Sequence, residues 1–205
     1  MFIKRKNNTK ILFTLMLAAA AFFSQAIDIT ANLPARISDV KAGGQQIVLL
    51  GDELKVGQQA PDFKVVDNSF KPVRLSDFQG KTLMLSIVPS IDTGICSLQT
   101  KRFNEEVAKL PDSVQLLTIS TDLPFAQKRF CEQEQVNNMA VLSDAVWRDF
   151  GSNYGLLIKD MGLLTRAIII INQQGKVAYL QLVPELAQEP DYDTALKVLR
   201  QTIGS

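Results

Sequence analysis

Two cysteines and no histidine set the terms on which this chain can do chemistry. Without histidine there is no Ser-His-Asp or Cys-His catalytic pair, no His-ligated zinc and no haem on a proximal imidazole. Two thiols are too few for a Cys-rich metal cage or a scaffold of several bridges, so nucleophilic or redox chemistry must pass through Cys96, Cys131 or both. Cys96 ends the segment Pro89-Ser90-Ile91-Asp92-Thr93-Gly94-Ile95-Cys96, which joins an apolar run of strand length to a stretch with helical spacing. Thr93 is a natural N-cap, and it would put Cys96 in the first helical turn. There the unpaired backbone N–H groups and the positive end of the helix dipole favour a thiolate over a thiol. The Thr93 hydroxyl can point to the same spot and donate to a sulfur anion or to an oxygen beside it, while Pro89 can wall the pocket without a competing donor. The plainer reading is a buried cysteine beside an ordinary helix cap.

Cys131 follows Lys128 and Arg129, whose charges would favour its thiolate as well. Two readings of the pair stand open. A permanent bridge would stabilise the fold by about 4 kcal/mol through loop closure. Against it, a sulfur oxidised for good at a helix start would gain nothing from the dipole.

The elements that must position these residues can be read from periodicity. Ala35–Val40 and Gln46–Leu50 flank Gly43-Gly44 as a hairpin, and Asp62–Val66 and Pro72–Leu75 form a second pair around Asp67-Asn68. Thr82–Val88 reads as a strand buried on both faces, followed by a helix over Gly94–Leu110 with Cys96, Phe103, Val107 and Leu110 on one face. Val114–Ser120 is a further strand, Pro124 opens a helix that runs through Cys131 to about Glu134, and Met139–Leu142 is the next strand. A short helix is expected over Val146–Phe150, a looser stretch over Gly151–Gly162, a hairpin of Arg166–Ile171 with Val177–Val183, and an amphipathic helix over Asp191–Ile203. Alternating strands and helices ending in an antiparallel pair predict an α/β sandwich with a mixed central sheet. Met139 and Met161 are expected to pack rather than ligate, and Trp147 to lay one ring face on the domain.

The 205 residues are 46% hydrophobic and 21% charged, which suits one globular domain, with no repeat, low-complexity tract or linker. Lys4, Arg5, Lys6 and Lys10 precede a nearly all-apolar run, Ile11–Phe23, and then Ser24-Gln25-Ala26. That is the pattern of a secretory signal, with cleavage expected after Ala26. The run would span about 20 Å as a helix, short of the roughly 30 Å hydrocarbon core, so cleavage is favoured over an anchor and no stable membrane insertion is expected afterwards. The reading is therefore a signal at 1–26, a short leader at 27–34 and one domain over 35–205. With no cysteine at the cleavage point a lipid anchor is not expected. No basic stretch outside the N-terminus supports a nucleic-acid surface. Nucleotide-binding, phosphate-binding and calcium-loop motifs are missing, and no Cys-x-x-Cys supports a disulfide-exchange role.

Pro89, Thr93 and Cys96 fit the Pro-x-x-x-Thr-x-x-Cys signature of peroxiredoxins. With PSIDTGIC, TDLPFAQKRFC, LLTRAIIII and LVPELAQEPDYDTAL in that order, the chain resembles the bacterial thiol peroxidase subfamily from about Ala35 to the C-terminal helix. The resemblance implies a thioredoxin-like fold with an added N-terminal β-hairpin, a homodimer, and reduction of hydrogen peroxide and alkyl hydroperoxides without metal, haem or other cofactor. By the same resemblance Cys96 is the peroxidatic cysteine and Cys131 the resolving one, joined as an intramolecular disulfide. Thr93 and Arg166 are the polar partners of thiolate and peroxide, and Pro89 is the shield. Read without the resemblance, Arg166 is a solvated charge at a strand end. The familiar members are cytoplasmic and draw on thioredoxin, whereas an export signal places this chain in the periplasm of a Gram-negative bacterium. Its reductant would then be another thioredoxin-like dithiol protein. The competing reading is a non-catalytic envelope scaffold of the same fold with a structural Cys96–Cys131 bridge.

Overall fold

Gly43 and Gly44 both take positive φ, 59° and 82°, and turn strand β1 (Ala35–Ala42) back on β2 (Gln45–Leu50) as an antiparallel hairpin. The computed structural model describes residue 30 and residues 32–203. The expected signal and part of the leader lie outside them. No helix among the described residues is long and apolar enough to cross a membrane.

After the hairpin, β3 (Lys64–Val66) and β4 (Pro72–Arg74) pair around a tight turn in which the Asp67 carboxylate accepts the N–H groups of Ser69 and Lys71 at 2.8 and 2.9 Å. A single 3-10 turn over Leu75–Phe78 leads to β5 (Thr82–Ile87), which is buried at every position. Helix α1 (Gly94–Val107), β6 (Val114–Ser120), α2 (Pro124–Glu134) and β7 (Ala140–Ser143) follow. Then come α3 (Asp149–Asn153), β8 (Leu157–Ile158), β9 (Ala167–Ile171), β10 (Val177–Leu182) and α4 (Tyr192–Ile203).

Seven strands form one sheet in the order β10-β9-β5-β6-β7-β3-β4, parallel across β5, β6 and β7 and antiparallel elsewhere. This is the mixed central sheet the alternation predicts. Side chains alternate across a strand, and the sheet sorts them accordingly. Leu83, Leu85, Leu117, Ile119, Ile169 and Ile171 enter one apolar cluster with Phe63, Phe150 and Tyr154, while Met84, Leu116, Ile168 and Ile170 enter a second with Phe103 of α1 and Leu199 of α4. A third and smaller cluster holds Val88, Ile91, Cys96, Phe130, Val136 and Val141, with Cys131 and Met139 packed against it.

Four local expectations are corrected. Helix α1 stops at Val107 rather than at Leu110. The short helix lies at Asp149–Asn153 instead of Val146–Phe150, because Arg148 sits in the left-handed region (φ 56°) and interrupts any earlier start. The Asp144 carboxylate caps it from outside, accepting the N–H groups of Phe150 (3.0 Å) and Gly151 (2.9 Å). The stretch expected to be loose after Gly151 holds β8, which pairs with β2 to complete a three-stranded sheet, and it buries Tyr154, Leu156, Leu157 and Ile158. Met161 does not pack: it is half exposed. Trp147 has one ring face covered, by the Lys64 ammonium 3.8 Å from its centre.

Candidate active site

The parallel strands β5 and β6 end side by side, and the loops leaving them start α1 and α2. Cys96 occupies the first turn of α1 and is fully buried. Cys131 lies in the last turn of α2, whose end is set by Gln135 in the left-handed region (φ 55°). The fold thus brings the two cysteines to one apolar cluster from opposite helix ends, and both are free thiols.

Arg166, immediately before β9, is only 2% exposed and is among the largest fully buried side chains. It is not a solvated strand-end charge. Its Nη2 donates to Cys96 Sγ at 3.2 Å and to the Leu186 carbonyl at 2.9 Å, its Nε donates to the same carbonyl at 3.1 Å, and its Nη1 donates to Gln99 Oε1 at 2.8 Å. Gln99 is one turn beyond Cys96 and donates in turn to Ser86 Oγ on β5 at 2.8 Å. None of the ion pairs among the described residues includes Arg166. A buried guanidinium held by neutral oxygens has a charge to balance, and a negative charge developing on or beside the Cys96 sulfur would be placed to balance it.

The carbonyl that grips Arg166 is itself gripped by the N-terminal hairpin. Leu186 N–H donates to Lys41 O (2.9 Å), Lys41 N–H donates to Pro184 O (2.8 Å), and the Glu185 carboxylate takes both turn amides, Gly43 and Gly44, at 3.1 Å. Hairpin, the 184–186 segment, Arg166 and Cys96 form one hydrogen-bonded series.

Thr93 stands at the N-cap of α1 as expected, and its carbonyl accepts Ser97 N–H at 3.0 Å. Its side chain makes no capping bond, however. The residue is exposed and its hydroxyl donates to the Ser90 carbonyl at 3.3 Å. Pro89 is buried beneath this loop. Cys131 differs from its expected environment. Burial pushes its thiol up and the nearby Glu132 charge adds to this, while a hydrogen bond from the Asn68 side chain opposes it. Lys128 and Arg129 do not figure among the influences. Cys131 also lines an open cavity of about 250 Å³ with Asp67, Asn68, Ser69 and Met139, whereas Cys96 is fully buried.

Sequence reasoning missed Gln99, Ser86 and the Leu186 carbonyl. Gln99 did carry a signal: it lies at i+3 from Cys96, so any helix burying the thiol also turns Gln99 inward. The role of Leu186 is made by its backbone, which no residue type announces.

A mixed sheet with helices on both faces, and a buried helix-start cysteine under an arginine, define a thioredoxin-like peroxiredoxin. The chain belongs to the Redoxin family, whose model matches residues 55–196. Within the family its near relatives are thiol peroxidases. It is 44% identical over 165 residues to the thiol peroxidase of Oceanobacillus iheyensis, covering 80% of this chain and 100% of that protein. It is 41% identical over 167 residues to that of Bacillus subtilis, covering 82% and 99%. Among solved structures it is similar to a peroxiredoxin-like protein from Aquifex aeolicus, at 40% identity and a TM-score of 0.76, covering 82% of this chain and 99% of that one. The chain is an enzyme of this kind, a thiol-dependent peroxidase.

Proposed function

We propose that Cys96 is the sulfur that peroxide oxidises and Cys131 the sulfur that resolves it. The Arg166–Cys96 contact of 3.2 Å carries this reading, because a guanidinium on the sulfur stabilises the negative charge that shifts during attack. The Cys96 thiolate attacks one oxygen of hydrogen peroxide or an alkyl hydroperoxide and the O–O bond breaks. The departing oxygen takes a proton and leaves as water or alcohol, and Cys96 becomes a sulfenic acid. Arg166 and the amides of the first turn of α1 are the donors for the oxygens, the exposed Thr93 hydroxyl joins them by turning from the Ser90 carbonyl, and Pro89 walls the pocket. The Cys131 thiol then attacks the sulfenic sulfur, the S–O bond breaks as the intramolecular disulfide forms, and the sulfenic hydroxyl leaves as water with the thiol proton. A thioredoxin-like dithiol protein restores both thiols by exchange and is itself oxidised to a disulfide. Because the cysteines lie at helix ends, closure requires the first turn of α1, with the loop before it, and the last turn of α2 to unwind.

The peroxidase acts in the cell envelope, the periplasm of a Gram-negative bacterium, after the signal at 1–26 is removed. The cationic start, apolar run and Ser24-Gln25-Ala26 support this, and its reductant is then an exported dithiol fed across the membrane. N-terminal sequencing of protein from an osmotic-shock fraction tests the location: a start near Ile27 supports it, and an intact Met1 in the cytosolic fraction overturns it. The working unit is a homodimer, for which the exposed apolar side chains Phe70, Leu123 and Phe125 are the natural contact. Sedimentation of the pure protein decides that point.

The chemistry is tested by titrating fully reduced protein with peroxide and mapping its thiols by mass spectrometry in wild type, Cys96→Ser and Cys131→Ser. One equivalent closes a Cys96–Cys131 disulfide in wild type, leaves Cys96→Ser reduced, and stops Cys131→Ser at sulfenic or over-oxidised Cys96. A Cys96 that resists peroxide for minutes, with a bridge that only raises the melting temperature, would instead support the scaffold reading.

A further inference from the structure

Three donors converge on one carboxylate between the two cysteine-bearing segments. Asp122, just beyond β6, accepts Ser90 Oγ–H on Oδ1 (2.7 Å), and on Oδ2 it accepts Ile91 N–H (2.8 Å) and Ser120 Oγ–H (2.7 Å). Its own backbone is held too: the carbonyl accepts Ser143 Oγ–H from β7 at 2.6 Å, and the N–H donates to Ser120 Oγ at 3.3 Å. Ser120 Oγ also accepts Gln127 Nε2 from inside α2 at 3.0 Å. The next residue, Leu123, is the N-cap of α2. On the other side, Ser90 passes the restraint forward. Its Oγ accepts Asp92 N–H (3.2 Å), and its carbonyl accepts both the N–H and the hydroxyl of Thr93 at 3.3 Å.

We propose that Asp122 is a positioning residue for peroxide oxidation, acting through Ser90 and Ile91 to hold Thr93 and the first turn of α1 against the sheet. The inference rests on Cys96 being the oxidised sulfur. Asp122 touches neither sulfur nor substrate in this arrangement. It anchors the six-residue approach to Cys96 to the end of a central strand, and a loop so anchored presents its backbone donors without reorganising. Once Cys96 is oxidised the same loop has to let go for the disulfide to form, so the anchor serves oxidation and not closure.

The test separates those two steps. Reduced wild type, Asp122→Ala, Asp122→Asn and Ser90→Ala are mixed rapidly with hydrogen peroxide, quenched with an alkylating agent, and followed by mass spectrometry for sulfenic Cys96 and then for the disulfide. Asp122→Ala slows sulfenic acid formation by about 10- to 100-fold and leaves the rate of closure unchanged or faster. Ser90→Ala, which keeps Asp122 and its other bonds, slows oxidation by about 5-fold and guards against a poorly folded Asp122→Ala. Asp122→Asn recovers most of the rate. Its amide oxygen can face Ile91 and Ser120 while its nitrogen donates to Ser90, whose hydroxyl turns, so all three contacts survive. Wild-type oxidation in folded Asp122→Ala or in Ser90→Ala overturns the inference, as does an equal slowing of both steps, which is what general loosening would produce. Failure of the underlying reading looks different: Cys96→Ser would still consume peroxide.

Discussion

At the scale of the residue, Arg166 gathers four hydrogen bonds of the candidate site in one side chain. Its guanidinium meets a sulfur, an amide oxygen and a backbone carbonyl at once, a set that a planar fork can serve and an ammonium cannot. Arg166→Ala is expected to lower the rate constant for oxidation of reduced enzyme by at least about 100-fold, the usual loss when a donor to a developing anion is removed. Arg166→Lys should regain only a small part of it, and stopped-flow mixing with peroxide measures both. Gln99 is expected to act one step further out. Gln99→Leu fits a similar volume but strips Arg166 Nη1 and Ser86 Oγ of their partner. A buried donor left unmade costs about 1–3 kcal/mol, so urea unfolding should show a loss of that size together with slower oxidation.

At the scale of the element, α3 carries a dependence on pH. Burial pushes the Asp144 carboxyl up to about 7, against the pull of the Gly151 and Phe150 amides and of Arg148. An unfolded aspartate titrates near 4, so between about pH 4 and pH 7 the native state holds a proton that the unfolded chain has released. Stability from this group therefore falls as pH rises through that window and is level above it, with a full effect on the order of 4 kcal/mol. Asp144→Asn cannot ionise and should lose this slope while taking a pH-independent cost at the helix cap, which urea midpoints from pH 4.5 to 7.5 will show. The helix ends that carry the cysteines make a second element-scale prediction. On conversion from dithiol to disulfide, amide exchange should rise over residues 94–97 and 131–135 while β5, β6 and β9 stay protected. Equal protection of both forms at those ends would rule out the unwinding step.

At the scale of the whole molecule, the proposed disulfide would work against the packing that surrounds the two free thiols. Closing the Cys96–Cys131 loop should stabilise by about 4 kcal/mol if nothing else changed. Closure by the proposed route would also give up helical turns and contacts in the third apolar cluster, so the oxidised form is expected to exceed the reduced form in denaturant by clearly less than that amount. Comparing denaturation midpoints in dithiothreitol and after one equivalent of peroxide measures the difference. The same scale separates what the sequence makes legible from what it does not. β6 and α2 fall where period and proline placement put them, because an all-apolar run and a helix-opening proline act locally. The burial of Arg166 is not legible from its neighbours, since it depends on Gln99 sixty-seven positions away and on the carbonyl of Leu186. α3 is misplaced by sequence reasoning for a related reason: its cap, Asp144, reaches in from beyond the usual capping offset, across a left-handed Arg148.

The hairpin of β1 and β2 would pass for an accessory, since it adds no side chain to the site. Yet Lys41 and the two turn amides hold residues 184–186, and Leu186 holds the arginine on the sulfur. The beginning of the described chain therefore tensions its middle by way of its end. Protein engineers who trim the chain into this hairpin would be altering the catalyst's alignment while leaving every proposed catalytic side chain in place.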